Sequence, residues 1–220
     1  MNRQEVTTLI NNIGILPSVR VNSQDLARFA SETLYASGIP IVEITMTVPG
    51  ALQVNSELST LFPDLAVGAG TVLDAETAKR CIAAGARFLT SPGLVLEVVT
   101  CARENEIVVL PGALTPTEII AAWKAGSDFV KIFPTSHVGG VEYVRALKVP
   151  LPQVSLIATG GVNQSNASEF ILAGAAAIGV GSELLPKEAL RSRQVDRIRV
   201  LAGRFLSMVK DARAMRDTYH

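Results

Sequence analysis

The sequence predicts an α/β chain folded as a (β/α)₈ TIM barrel. Eight short, β-rich apolar runs recur at intervals of roughly twenty to twenty-seven residues, the spacing of βα units. Each run is followed by a polar or Gly/Pro turn and then by an amphipathic segment rich in Ala and Glu. Apolar residues make up 48% of the chain and charged ones 18%, with only 5% aromatic, which suits parallel strands covered on their faces by helices. An open doubly wound sheet is the competing architecture. The count of eight and the lack of an early GxGxxG fingerprint favour the barrel.

Taken in order, the strand segments are "ILPSVRV", "IPIVEIT", "LAVGAGTV", "ARFLTS", "EIVVLPG", "DFVKIFP", "VSLIATGG" and "AAAIGVGS". The helix starts have good capping chemistry. Ser23 with Asp25 precedes "LARFASETLYAS", Asp74 precedes "AETAKRCIAA", Thr115-Pro116 precedes "TEIIAAWKAG", and Asn163 precedes "QSNASEFILAG". Four helices end in "SG" or "AG" ("YASGIP", "AAGARF", "WKAGSDF", "LAGAAAI"), where glycine supplies the left-handed conformation of a C-terminal cap. An N-terminal helix over residues 3–14 is expected beneath the barrel, and one long C-terminal helix over 187–217. Since no linker or low-complexity stretch divides the chain, residues 1–220 are expected to form a single domain.

Composition also excludes. Twenty basic residues balance twenty acidic ones, and no basic run is interleaved with aromatics, so nucleic acid is not an expected partner. No segment is long and apolar enough to span a bilayer, and "MNRQEVTTLINNIGILPSVR" lacks the apolar core and cleavage site of a signal peptide. Cys81 and Cys101 fall in helical segments without CxxC spacing, as reduced thiols of a cytoplasmic protein. The two histidines, His137 and His220, are far apart in sequence, and no metal cluster is offered.

In such a barrel, chemistry sits at the C-terminal ends of the strands. Collecting polar or special residues there yields Arg20; Glu43 and Thr45; Thr71; Ser91 and Pro92; Pro111 and Gly112; Lys131 and Phe133; Thr159, Gly160 and Gly161; and Gly179, Gly181 and Ser182. Lys131 stands out, because "DFVKIFP" points a lysine into the interior. Desolvation favours the free amine, which can attack a carbonyl; the plainer reading is a lysine whose ammonium snorkels to water. Alternation places Glu43 with Thr45, and Lys131 with Phe133, on common faces. If Glu43 and Lys131 both point inward, a proton carrier and a nucleophile converge; the alternative is a buried ion pair that only holds register. The glycine-rich ends "TGG" and "GVGS" allow backbone N–H groups to approach a phosphate, or are simply tight turns.

These segments in order resemble the class I aldolases that cleave 2-dehydro-3-deoxy-6-phosphogluconate and 4-hydroxy-2-oxoglutarate. The matching stretches are "VEIT", "VGAGTVLD", "GARFLTSPGL", "LPGALTPTEI", "VKIFPTSHVGG", "ATGGVNQSN" and "AIGVGSELL", spanning nearly the whole chain. Any one is weak; the ordered series is specific. The resemblance implies a (β/α)₈ barrel assembled as a homotrimer, a 2-oxo acid substrate, and no metal or organic cofactor. It puts Lys131 at the Schiff-base lysine and Glu43 at the general acid/base. Thr71 falls at a hydroxyl that helps hold the pyruvyl carboxylate. Phe133 and Pro92 become walls of the pyruvate pocket. Gly160, Gly161 and Ser182 match the region receiving the distal phosphate, with Thr159 beside it, and Gly181 joins them as a substrate-binding candidate. Arg20 matches a strand-one arginine, able to bind carboxylate or phosphate through two parallel bonds.

The chain departs from the family at two places. Relatives commonly read "VEVTLRT", with an arginine that helps bind the keto-acid carboxylate, whereas this chain reads "VEITMTVPGAL" with Thr47 in that place. Either Arg20, Thr71 and backbone donors suffice, or the preferred substrate differs. "FPTSHVGG" also differs from the more usual "FPA" start, which brings Thr135 and Ser136 near the nucleophile and places His137 in a solvent-facing loop. Two other activities share the same features: a phosphate-binding isomerase or epimerase using Glu43 as base, and a non-catalytic ligand-binding relative that kept the barrel.

Overall fold

The expected alternation of strand and helix is present in the computed structural model, which describes residues 1–218; His220 lies outside the described residues. The strands are β1 (Ile15–Val19), β2 (Ile41–Thr45), β3 (Ala66–Gly70), β4 (Phe88–Thr90), β5 (Val108–Leu110), β6 (Gly112–Ala113), β7 (Val130–Ile132), β8 (Leu156–Thr159) and β9 (Ala177–Val180). The helices are α1 (Arg3–Ile13), α2 (Gln24–Ala36), α3 (Ala51–Leu61), α4 (Ala75–Ala83), α5 (Leu96–Glu104), α6 (Pro116–Lys124), α7 (Gly140–Lys148), α8 (Ala167–Leu172), α9 (Lys187–Arg191) and α10 (Val195–Thr218), with a 3₁₀ turn at Thr135–Val138.

Every strand pairing is parallel, in the order β5-β4-β3-β2-β1-β9-β8-β7-β6. The two ends of that order are chain neighbours separated only by Pro111, so the sheet is a nearly closed α/β barrel. Proline has no N–H to give to a ladder, which accounts for the interruption. The carbonyls of this stretch still serve the β7 side. Val109 O accepts from Asp128 N at 3.1 Å, Pro111 O from Lys131 N at 2.9 Å, and Ala113 O from Phe133 N at 3.2 Å.

Local chemistry sets most helix ends. Ser23 Oγ accepts from Leu26 N at 3.2 Å and Asp74 Oδ1 from Thr77 N at 2.6 Å. Thr115 and Glu118 close a capping box ahead of Pro116 at the first helical position. The four anticipated C-terminal glycines, Gly38, Gly85, Gly126 and Gly174, all take positive φ, from +86° to +98°. Beneath the barrel, α1 buries Val6 and Ile10, and its Arg3 pairs with Asp128 at 2.8 Å while Asp128 Oδ2 accepts from Val109 N at 2.9 Å.

Two sequence expectations require correction. Helix α8 begins at Ala167, not directly after Asn163, because the polar side chains there bond to the local backbone. Asn163 Oδ1 accepts from Ser165 N at 2.8 Å, and Asn166 Oδ1 from Asn163 N at 2.8 Å, forming a turn that competes with the helix. The single C-terminal helix expected over 187–217 is two helices, α9 and α10, separated at residues 192–194. Arg193 takes φ +49° at that break, and its guanidinium pairs with Asp25 of α2 and lies 5.1 Å from the Phe29 ring centroid. Tertiary contacts with α2 thus outweigh local helix propensity. Among the described residues no helix is long and apolar enough to cross a membrane.

Candidate active site

Two charged residues are buried in the middle of barrel strands: Glu43 of β2 and Lys131 of β7. Leaving either charge alone in an aliphatic interior would be costly, and the barrel brings them together. Lys131 Nζ lies 3.9 Å from Glu43 Oε2, with side-chain exposures of 11% and 3%. That separation is too long for a direct hydrogen bond. The amine also sits 5.3 Å from the Phe133 ring centroid, so the two side chains that alternation put on one face do meet.

Glu43 is held from both sides. Ser18 Oγ donates to its Oε1 at 2.9 Å, and Thr90 Oγ1 donates to its Oε2 at 2.8 Å. Register explains the first contact, since Ser18 lies directly opposite Glu43 in the β1–β2 ladder. A third residue shapes the niche by its lack of a side chain: a Cβ on Gly70 would stand 2.5 Å from Glu43 Cδ and 2.7 Å from Cγ. Ser18, Gly70 and Thr90 were not among the residues anticipated from sequence. The available signal was their position on strands, with small or hydroxyl side chains on the same inward alternation as the acid.

At the mouth, the ends of β1, β2 and β3 are linked by hydroxyls. Thr45, fully buried, donates to Val19 O at 3.3 Å and shares a 2.8 Å hydrogen bond with Thr47. The exposed Arg20 donates to Thr47 Oγ1 at 3.2 Å and to Thr71 Oγ1 at 3.3 Å. Thr71 has φ +61°, a backbone state that costs a β-branched residue about 1–3 kcal/mol.

Across the barrel, Gly160 and Gly161 follow β8 with φ of +87° and +88°. Thr135 Oγ1 donates to Gly160 O at 2.7 Å and to Thr159 O at 3.2 Å, and Ser136 N donates to Gly160 O at 3.0 Å. A Cβ on Gly161 would stand 2.6 Å from Ser136 Oγ, so the turn after β7 lies directly on the turn after β8. His137 is exposed, with Nδ1 3.0 Å from Ser136 Oγ. Thr159 packs over Gly179 of β9, where a Cβ would meet its Cγ2 at 2.9 Å. Gly181 follows β9, its carbonyl accepting from Leu184 N at 3.1 Å and Leu185 N at 2.9 Å, with Ser182 exposed beside it. Pro92 is exposed after β4, and its backbone abuts Gly112, whose N donates to Gly93 O at 3.2 Å. Among the described residues no group of three or more His, Cys, Asp or Glu could hold a metal ion.

Residues 6–201 match the protein family described as KDPG and KHG aldolase. The chain belongs to the KDPG and KHG aldolase family. It is 32% identical over 172 residues to a 2-dehydro-3-deoxy-phosphogluconate aldolase of Pseudoalteromonas atlantica, covering 78% of this chain and 80% of that one. Among solved structures it is similar to the KDPG aldolase of Legionella pneumophila with pyruvate captured as a covalent carbinolamine, with TM-score 0.83 and 31% identity over 89% of this chain and 95% of that one. It is also similar to a cube-shaped protein cage designed by fusing symmetric oligomeric domains, with TM-score 0.85 and 28% identity over 94% of this chain and 76% of that one. Members of the KDPG and KHG aldolase family are aldehyde-lyases, which selects the aldolase among the three activities the sequence left open.

Proposed function

We propose that this aldolase works through a Schiff base, with Lys131 as nucleophile and Glu43 as proton carrier. The observation that carries the assignment is the placement of one amine 3.9 Å from one carboxylate inside an aliphatic barrel. Lys131 Nζ attacks C2 of a 2-oxo acid as the free amine. Glu43, oriented by Ser18 and Thr90, takes the ammonium proton whose loss frees the amine and gives it to the departing C2 hydroxyl as the carbinolamine loses water. The resulting cationic imine withdraws electrons from C3–C4. That bond breaks as the C4 hydroxyl gives its proton to the Glu43 carboxylate, releasing an aldehyde and leaving the pyruvyl enamine on Lys131; Glu43 later returns that proton to C3. Protonation at C3 and hydrolysis return pyruvate and the amine. The substrate is a 2-dehydro-3-deoxy-phosphosugar acid, 4-hydroxy-2-oxoglutarate, or both, and the aldehyde is glyceraldehyde 3-phosphate or glyoxylate.

The pyruvyl portion lies against Phe133 and Pro92, with Thr45 behind the wall. The distal phosphate is received by Thr159, Gly160, Gly161, Gly181 and Ser182, where positive-φ glycines leave the backbone open to an anion. Chain continuity through Pro111 supports counting β5 and β6 as one interrupted strand, giving the (β/α)₈ barrel, with residues 1–220 as one domain. We assign a homotrimer in the cytoplasm, and likeness to a cage built from symmetric oligomers supports self-association. Borohydride added with pyruvate should fix a covalent adduct on Lys131 and abolish turnover. An active preparation that yields no adduct would sink the imine. Pyruvate release from a panel of 2-oxo-3-deoxy acids and 4-hydroxy-2-oxoglutarate, coupled to lactate dehydrogenase, identifies the substrate.

A further inference from the structure

We infer that Thr47 is a positioning residue that turns Arg20 toward the C1 carboxylate of the 2-oxo acid and away from the distal group. This deepens the Schiff-base reading and rests on it. Arg20 follows β1, which lies between β9 on one side and β2 on the other. From there a guanidinium could reach either the glycine turns of β8 and β9 or the ends of β2 and β3. Its hydrogen bonds decide the direction: Nη1 donates to Thr47 beyond β2, and Nη2 donates to Thr71 beyond β3. No hydrogen bond of Arg20 goes to the β8 or β9 turns, and no carboxylate pairs with it among the described residues. A guanidinium steered by two neutral hydroxyls keeps its full charge for an anion.

The tether is itself supported. Thr47 is anchored through Thr45, whose hydroxyl bonds to Val19 O on β1, so the chain of bonds runs from β1 across β2 and back to Arg20. Thr71 presents its hydroxyl from a strained backbone at φ +61°, a state that persists where surrounding structure enforces it, often at ligand sites. In the substrate the C1 carboxylate is bonded to C2, the atom that Lys131 attacks. With the distal phosphate at the β8 and β9 turns, the carboxylate points to the opposite side of the imine, toward β2 and β3. The tethered Arg20 and the Thr71 hydroxyl stand there.

Pyruvate separates the two roles of Arg20, because it has a carboxylate and no distal group. The probe is the pyruvate concentration giving half-maximal borohydride trapping, measured in wild type and in Arg20→Gln, Thr47→Val and Thr47→Ser, with thermal melts as a fold control. Arg20→Gln should raise that concentration tenfold or more, Thr47→Val several-fold, and Thr47→Ser should restore the wild-type value. The saturating trapping rate should change far less than the half-saturation, as expected for lost ground-state binding. Unmoved pyruvate half-saturation in Arg20→Gln, with a raised KM for the phosphorylated substrate, would place the guanidinium on the distal group and overturn the inference. So would a Thr47→Val protein that traps pyruvate like wild type. A turning-over wild type that forms no adduct overturns the Schiff-base reading and this inference together, whereas trapped wild type with unmoved variants overturns the inference alone.

Discussion

Replacing Gly70 with alanine tests whether the position of the Glu43 carboxylate limits the reaction. The added methyl would stand 2.5 Å from Glu43 Cδ and 2.7 Å from Cγ, both inside the 3.0 Å that real contacts of this kind respect. The obstacle is not a loose side-chain end, because both carboxylate oxygens are already fixed by Ser18 and Thr90 at 2.9 and 2.8 Å. Relief of the clash requires the acid to retreat by roughly 1 Å, which lengthens or breaks those hydrogen bonds and widens its 3.9 Å separation from Lys131 Nζ. A misplacement of about 1 Å can cost about a hundredfold in rate. Overpacking of this kind destabilises by about 1–3 kcal/mol, visible as a lower melting temperature but compatible with a folded protein. The expected result is kcat reduced about a hundredfold with pyruvate still bound. Pyruvate release coupled to NADH oxidation by lactate dehydrogenase reads kcat, and borohydride trapping reads the adduct. A folded Gly70→Ala protein with kcat within a few-fold of wild type would refute the claim that this niche positions the acid.

Three further outcomes are expected. Thr90→Val removes one hydroxyl donor from a buried carboxylate, worth about 1.5–3 kcal/mol, so kcat should fall about tenfold to a hundredfold; an unchanged kcat would remove Thr90 from the site. Glu118 is held below the usual carboxyl range by the backbone N–H groups of Leu114 and Thr115 and by the Thr115 hydroxyl. Its contribution to stability is present above the ordinary value of 4.5 and is lost as pH falls through its lower folded value, so the melting-temperature gap between wild type and Glu118→Gln should shrink on acidification; a gap independent of pH would contradict this. Burial pushes the Cys81 thiol up to about 12, so Ellman's reagent at pH 8 should leave it unmodified in the folded protein and modify it after denaturation; prompt labelling of native Cys81 would show that the helix opens.

Much of the site was legible because its most informative residues break a local pattern. Lys131 in "DFVKIFP" and Glu43 in "IVEIT" are charges inside apolar strands, and alternation pairs each with a neighbour on one face, while the barrel shows that both faces point inward. The partners of Glu43 broke no such pattern. Ser18 lies 25 residues and Thr90 47 residues from the acid, and a serine or threonine on a strand is unremarkable until register is known. Thr47 was conspicuous for the charge it lacks, yet its tie to Arg20, 27 residues away, follows from strand adjacency that local periodicity does not encode.

The amino-acid order alone determined the strand and helix succession, three capped helix starts, four glycine stops, and the two charges set within apolar strands, because each of these is written within a few residues of itself. Folding in three dimensions decided how Pro111 interrupts the sheet, where Arg193 breaks the last helix pair, and which hydroxyls grip the acid and steer Arg20. Those outcomes depend on register and on packing between segments remote in the chain, which no local stretch of sequence contains.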